Sequence, residues 1–381
     1  MKKYNKIFIT ASALLLAFLS LATYLSPDIR FSENENRYLA EKPVLSIESV
    51  LNGHFEKQAE NYLSDHIFGR ESFVTAKSIT ETAFGIRDIN GTYLCRDGRL
   101  VQRITEREFD WTKYENNLRQ VKELQQILNS KGIGVSLMPV PTAQYIYHNR
   151  LPAHALRFDE DKAFSMAETA LKGNLIDLRW ILEHYAKKES GNVFFSTDHH
   201  WTGFGAFLAY KQYLSLLGYD ISKFTYTPQT LSDDFKGTLY SKVLLPQMES
   251  DVIECPSGTD KINYTVTIRG KKYNSLFQKD YLKKKDQYAV YFGGNFDVVD
   301  IKVKQTSADS GKEKLLIVKD SFANSFVPYL LENFSQITMI DPRYYRDNIT
   351  TLAESYDRVL ILYNIAGLAE ENLHLNQALL Q

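Results

Sequence analysis

Apolar positions first gather in one unbroken stretch. Residues 7–25 carry no charge and number 19, close to the roughly 20 needed to cross a bilayer core. Lys2, Lys3 and Lys6 precede them, and such a flank favours the cytoplasmic side. The pattern predicts a signal-anchor over residues 1–25 with the rest of the chain outside the cytoplasm. A cleaved signal peptide is the alternative and would leave that body secreted. Residues 26–44 are polar and contain Pro27 and Pro43, which predicts a linker. Over residues 45–85, Leu51, Phe55, Ala59, Tyr62 and Leu63 recur at helical spacing and Gly69 interrupts, predicting two helices. Thr92-Tyr93-Leu94-Cys95, the turn Arg96-Asp97-Gly98 and Leu100-Val101 predict a hairpin.

From about residue 113 the rhythm is α/β. Leu118, Val121, Leu124, Ile127 and Leu128 share a helix face that Gly132 ends, and residues 133–140 form an apolar strand. A helix over about 160–171 follows, and another runs from Phe204 to about Gly218. Residues 222–305 break the rhythm. Tyr264-Thr265-Val266-Thr267-Ile268 and Tyr288-Ala289-Val290-Tyr291-Phe292 read as strands between lysine-rich loops, and the segment is expected to be an insertion or lid. The rhythm resumes with Leu315-Leu316-Ile317-Val318, a helix from about 322 to 332, and short apolar runs at 337–340 and 359–362. Alternating strands and helices predict a mostly parallel sheet covered on both faces.

Composition changes this picture little, but it excludes some functions. Lys plus Arg is 45 against 46 for Asp plus Glu, so the basic footprint of a nucleic-acid binder is missing. Two cysteines, Cys95 and Cys255, form no zinc-type cluster. In an oxidising compartment they are either one disulfide or two buried thiols. No cofactor and no metal is expected.

Two short segments carry candidate chemistry. Ser321 follows an apolar strand and precedes a helix. In open α/β sheets ligands bind at that end of the strands, though a serine there is also a common helix cap. The second segment is Asp198-His199-His200-Trp201. A serine nucleophile needs a base, and the base needs a carboxylate to hold its tautomer. Asp198 and His200 supply that pair locally. Metal binding by Asp198, His199 and His200, or a purely structural segment around Trp201, are the competing readings. Gly293-Gly294-Asn295 is either a plain turn or a candidate oxyanion or substrate-binding turn, since glycine lets backbone approach a ligand closely. Gly294 would permit that approach, while the Asn295 amide and the Ser321 N–H would donate.

Thr197-Asp198-His199-His200-Trp201-Thr202 and Lys319-Asp320-Ser321-Phe322-Ala323-Asn324-Ser325-Phe326 resemble the DHHW family of bacterial surface proteins. That family is related to the SGNH-like O-acetyltransferases of alginate and similar exopolysaccharides. Glu35-Asn36-Arg37, Tyr291-Phe292-Gly293-Gly294-Asn295 and Ile340-Asp341-Pro342-Arg343-Tyr344 also match. The resemblance implies an SGNH-hydrolase-like catalytic domain over residues 45–381, with Ser321 as nucleophile, His200 as base and Asp198 as its orienting partner. Lys319 stands where the family's wider relatives have glycine. An extracytoplasmic O-acetyltransferase acting on a cell-surface polysaccharide is the expected function. A membrane-bound acyl-transfer protein supplying acetyl groups is the partner this implies. An acetylesterase of the same fold and a non-catalytic scaffold of a polysaccharide assembly complex are the alternatives.

Overall fold

Strand cores of four or more consecutive apolar residues can be buried only between two covering layers, and the central sheet meets that requirement. The computed structural model describes residues 2–32, 37–188, 191–304 and 311–375. The Glu35-Asn36 pair of the matching motifs lies outside them, as does part of the expected linker. The described chain divides into two compact units, one of residues 1–90 with 240–248, the other of residues 91–239 with 249–381.

The first unit is mostly helical, with one short antiparallel pair of Phe31–Ser32 and Arg37–Tyr38. Its long helix α1 (Lys2–Leu25) is apolar and long enough, by length and composition, to cross a membrane, which is compatible with an anchor or a signal sequence. Three helices follow where two were expected: α2 (Ile47–Leu51), α3 (His54–His66) and α4 (Arg70–Ala83). Gly53 and Gly69 separate them, both with φ of 74°, a backbone state that costs glycine little.

The second unit is built on a seven-stranded sheet. Its strands are β1 (Gly134–Val140), β2 (Tyr264–Ile268), β3 (Lys271–Tyr273), β4 (Val298–Val303), β5 (Lys314–Lys319), β6 (Gln336–Ile340) and β7 (Arg358–Asn364). They lie in the order β3-β2-β4-β6-β5-β7-β1. Strands β6, β5, β7 and β1 are mutually parallel, whereas β4, β2 and β3 add on antiparallel. The sheet is therefore mixed, which corrects the expectation of a mostly parallel one. The reason lies in the connections. Ile268 and Lys271 face each other across Arg269-Gly270, whose φ values of 48° and 76° are both positive. Such a two-residue turn joins antiparallel neighbours directly, and no crossover helix is available to make them parallel. The residue 222–305 segment thus supplies three strands to the sheet edge. Tyr288 is not in a strand; Gln287–Val290 is a turn of 3-10 helix.

Alternate residues feed opposite cores. Leu315 and Ile317 of β5, with Leu360 and Leu362 of β7, pack on one face. Leu316, Val318, Val359 and Ile361 pack on the other. Helices α5 (Trp111–Asn129), α6 (Ala143–Ile146), α7 (Glu160–Leu171), α8 (Arg179–Ala186) and α9 (Gly203–Leu216) surround the sheet. Val121 of α5 and Phe164 of α7 cover the second face; Leu182 of α8 and Ala206 of α9 cover the first. The expected hairpin at residues 91–103 forms from Thr92–Leu94 and Leu100–Gln102. The expected helix over about 322–332 is shorter. Ala323–Phe326 is α-helical and Val327–Leu330 is 3-10, with Pro328 at the junction, a residue that cannot donate an interior helix hydrogen bond. Cys95 and Cys255 are separate buried thiols, pushed up to about 12 and about 11 by burial.

Candidate active site

Strand β5 ends at Lys319, and the chain turns sharply through Asp320 and Ser321. Asp320 shapes that turn. Its Oδ1 accepts from Phe322 N at 2.9 Å and its Oδ2 from Asn364 N at 2.7 Å. Ser321 emerges half-buried at the carboxyl end of a central strand.

The partner loop is just as constrained. Phe195 N donates to His200 O at 3.1 Å, closing residues 195–200 into a tight loop. The Asp251 carboxylate accepts from Ser196 N at 2.8 Å and from Thr197 N and Oγ1 at 2.7 and 2.6 Å. Thr202 caps α9, accepting from Gly205 N at 3.2 Å. Trp201 is fully buried, and its Nε1 donates to Phe322 O at 3.0 Å and Ser325 Oγ at 2.9 Å. The indole therefore fastens this loop to the Ser321 turn, 121 residues away in sequence.

The three candidate residues meet. His200 Nδ1 is 2.6 Å from Asp198 Oδ1, and His200 Nε2 is 2.7 Å from Ser321 Oγ. A carboxylate only accepts, so Nδ1 carries the proton. The neutral ring then accepts the Ser321 hydroxyl hydrogen at Nε2. Asp198 also accepts at Oδ1 from His200 N, and at Oδ2 from Thr238 N at 2.8 Å and Thr238 Oγ1 at 3.0 Å. Burial alone would lift this carboxyl. The neighbouring His199 and His200, the hydrogen bond from His200 and the Thr238 N–H together hold it well below the usual carboxylate range. Gly237 makes the fit possible. A Cβ built there would sit 2.3 Å from Asp198 Cβ.

Tyr288 lies flat on His200, with ring centroids 3.9 Å apart and planes 11° from parallel. Its hydroxyl donates to Ser321 O at 3.2 Å and lies 3.1 Å from Ser325 Oγ. His199 covers the opposite side, its ring centroid also 3.9 Å from that of His200 and its Nδ1 2.8 Å from Thr238 Oγ1. Among the described residues, Asp198, His199 and His200 are the one group whose ligand atoms could converge on a metal. Their hydrogen bonds already occupy both ring nitrogens of His200, both oxygens of Asp198 and Nδ1 of His199, so a metal would have to displace them.

The candidate oxyanion turn stands beside Lys319. Phe292, Gly293 and Gly294 have φ values of 64°, 89° and 114°. The last favours glycine strongly. The Gly294 N–H is used within the turn, donating to Tyr291 O at 3.3 Å. Asn295 Oδ1 accepts from Lys319 Nζ at 2.6 Å and from Asn324 Nδ2 at 3.2 Å, while Lys319 Nζ also donates to Asn324 Oδ1 at 3.0 Å. An ammonium can only donate, so it selects the amide oxygen of Asn295 and turns the NH₂ away from itself. Burial pushes Lys319 down to about 8, against the pull of Asp341.

Sequence reasoning singled out Ser321, His200, Asp198, Gly294 and Asn295. It missed Tyr288, Thr238, Gly237 and the role of Lys319. A lysine at the end of an otherwise apolar strand was a usable signal for the last. Nothing local marks the other three.

Residues 102–280 match the family described as ALGX, an SGNH hydrolase-like domain of the acetyltransferase AlgX. That stretch contains Asp198 and His200 and stops before Asn295 and Ser321. No curated protein matches the sequence. Among solved structures, a DHHW family protein from Eubacterium siraeum is similar, with a TM-score of 0.60 and 23% identity over 75% of this chain and 94% of that one. Bacillus cereus PatB1, solved with a sulfonyl adduct, is similar with a TM-score of 0.61 and 19% identity over 74% of this chain and 98% of that one. The resemblance to the DHHW family and to SGNH-like acetyltransferases that the motifs implied is thereby found, and the likeness in fold covers about three quarters of the chain.

Proposed function

We propose that this protein is an extracytoplasmic O-acetyltransferase that moves acetyl groups onto a cell-surface polysaccharide through Ser321, His200 and Asp198. The observation that carries the reading is the bridge made by His200, 2.6 Å from Asp198 and 2.7 Å from Ser321. In the first half-reaction His200 Nε2 takes the hydroxyl proton as Ser321 Oγ attacks the acetyl carbonyl of the donor. Asp198 holds the ring and stabilises the imidazolium. The oxyanion is met by the NH₂ of Asn295 and the backbone N–H of Ser321, and Gly294 lets the turn approach. His200 returns the proton to the leaving oxygen, which leaves acetyl-Ser321. In the second half-reaction a sugar hydroxyl attacks the acetyl carbon, His200 takes its proton and passes it to Ser321 Oγ as the Oγ–acetyl bond breaks, which releases the acetylated sugar and restores the serine.

Transfer must outrun hydrolysis. A held acceptor has that advantage, because well-oriented groups reach effective molarities of about 10⁵ M or more. A bound glycan segment is therefore required for transfer, and free acetate dominates without it. A membrane-bound acyl-transfer protein would fit as the donor's source.

The test is incubation with an acetyl donor and oligosaccharides of several backbones, read by mass spectrometry. One acetyl should be gained by the sugar. Ser321→Ala and His200→Ala should each lower turnover about 10³-fold or more, with the double variant little worse than either. Acetate release alone across the whole panel would instead indicate an esterase. Neither product from folded protein would indicate a scaffold.

A further inference from the structure

The first unit has a surface that the acetyl-transfer reading leaves unused. Helices α2 and α3 bury none of their side chains. Leu51, Leu63, Phe68 and Phe73 are exposed by 83%, 57%, 47% and 50%. Leu63 and Phe73 wall one groove, and exposed apolar side chains gathered in this way mark an interaction site.

The corner between α3 and α4 is strapped to the outer end of α1. Phe68 N donates to Thr23 Oγ1 at 3.0 Å, and the Phe68 ring stands edge-on to Phe18 at 6.1 Å. On the same side, Tyr62 OH donates to Asp28 Oδ1 at 3.3 Å, and His66 Nε2 lies 3.1 Å from Ile29 O. These contacts set a depth. Phe18 precedes the end of α1 at Leu25 by two helical turns, about 10 Å at a rise of 1.5 Å per residue. A helix that spans the membrane to its end therefore carries the α3–α4 corner about that far into the outer leaflet. Amphipathic helices bury their apolar faces at roughly this depth.

The groove between α1 and the α3–α4 pair has matching chemistry. It measures about 770 Å³ and is walled by Leu19, Leu63, Ile67, Phe73 and Val74. Arg70, Lys77 and Lys242 also line it, with no acidic side chain among them. Apolar walls suit an acyl chain, and cations on long stems reach back to the phosphate level.

We propose that α2–α4 form an interfacial platform sunk into the outer leaflet, with the groove seating an anionic phospholipid. This rests on α1 being a membrane span. It adds a second attachment that would fix the depth of the first unit in the bilayer.

The test uses the full chain in nanodiscs of phosphatidylcholine and phosphatidylglycerol. A polarity-sensitive fluorophore is placed at Phe68→Cys, Phe73→Cys or Leu15→Cys, and circular dichroism checks folding. Cys95 and Cys255 are buried and so react slowly. With brominated acyl chains, labels at 15, 68 and 73 should lose most of their emission. Quenching at 15 with none at 68 and 73 overturns the platform and keeps the span. Absence of quenching at 15, 68 and 73 alike overturns both. Quenching at 68 and 73 without 15 overturns the span and, with it, the platform whose depth is set by that span.

Discussion

His200 sits between two rings, and they bear on how readily it carries a charge. In the proposed mechanism the Tyr288 face against it would attract the imidazolium formed when Ser321 loses its proton. The Tyr288 hydroxyl, held at Ser321 O and Ser325 Oγ, keeps that face in place. In that mechanism Lys319 would act at one remove, through Asn295 rather than on a substrate. Its ammonium grips the amide oxygen, so the NH₂ is presented in one orientation only. Loss of one oxyanion-hole donor typically costs about 10²–10³ in turnover. Lys319→Met should therefore lower kcat on a small acetyl ester by about 10²-fold with KM little changed. In an Asn295→Ala background the same change should cost almost nothing more. Additive losses, measured by steady-state kinetics on all four variants, would remove this role from Lys319.

At the scale of elements, α7 is joined to the end of β1 by one buried carboxyl group. Glu160, in the first turn of α7, accepts from Thr142 N at 2.8 Å and Thr142 Oγ1 at 2.6 Å. Burial pushes it up to about 8 despite those hydrogen bonds. A carboxyl whose folded pKa is raised binds more protons folded than unfolded, so stability falls as pH rises across that interval. The window runs from the ordinary value of about 4.5 to about 8. Glu160→Gln should remove this dependence. Melting curves should show wild type losing ground to the variant between pH 5 and pH 8 (roughly the titration window). Parallel Tm profiles would mean that Glu160 stays ionised. The α7 helix itself was legible from its apolar spacing, whereas its tether to Thr142 was not, because Glu160 reads as an ordinary acidic first-turn residue.

For the whole molecule, the proposed orientation rests on charge at one end of α1. Lys2, Lys3 and Lys6 precede an uncharged run, and positive flanks stay in the cytoplasm. Protease added to intact spheroplasts should digest residues 45–381, followed by immunoblotting against a carboxyl-terminal tag. Full protection of that region would put the chain on the wrong side for a surface glycan.

The sequence by itself determined the features that local physics controls. The uncharged run of residues 7–25, the apolar cores of β5 and β7, the 92–102 hairpin and the helices α5, α7 and α9 all follow from periodicity and turn residues close in the chain. The motifs around Asp198 and Ser321 were legible for the same reason: each is a short run of chemically specific residues. Only the tertiary structure decided how those runs meet. Trp201 donating to Phe322 O closes 121 residues of chain, and no local pattern encodes that distance. The antiparallel edge of the sheet depended on the Arg269-Gly270 turn and on which strand β4 joined. Tyr288 reads as a strand residue by composition, yet its turn places the ring on His200. Thr238 and Gly237 are unremarkable as letters; they matter because folding brings Asp198 against them, where only a glycine leaves room and only an N–H and a hydroxyl satisfy the remaining carboxylate oxygen.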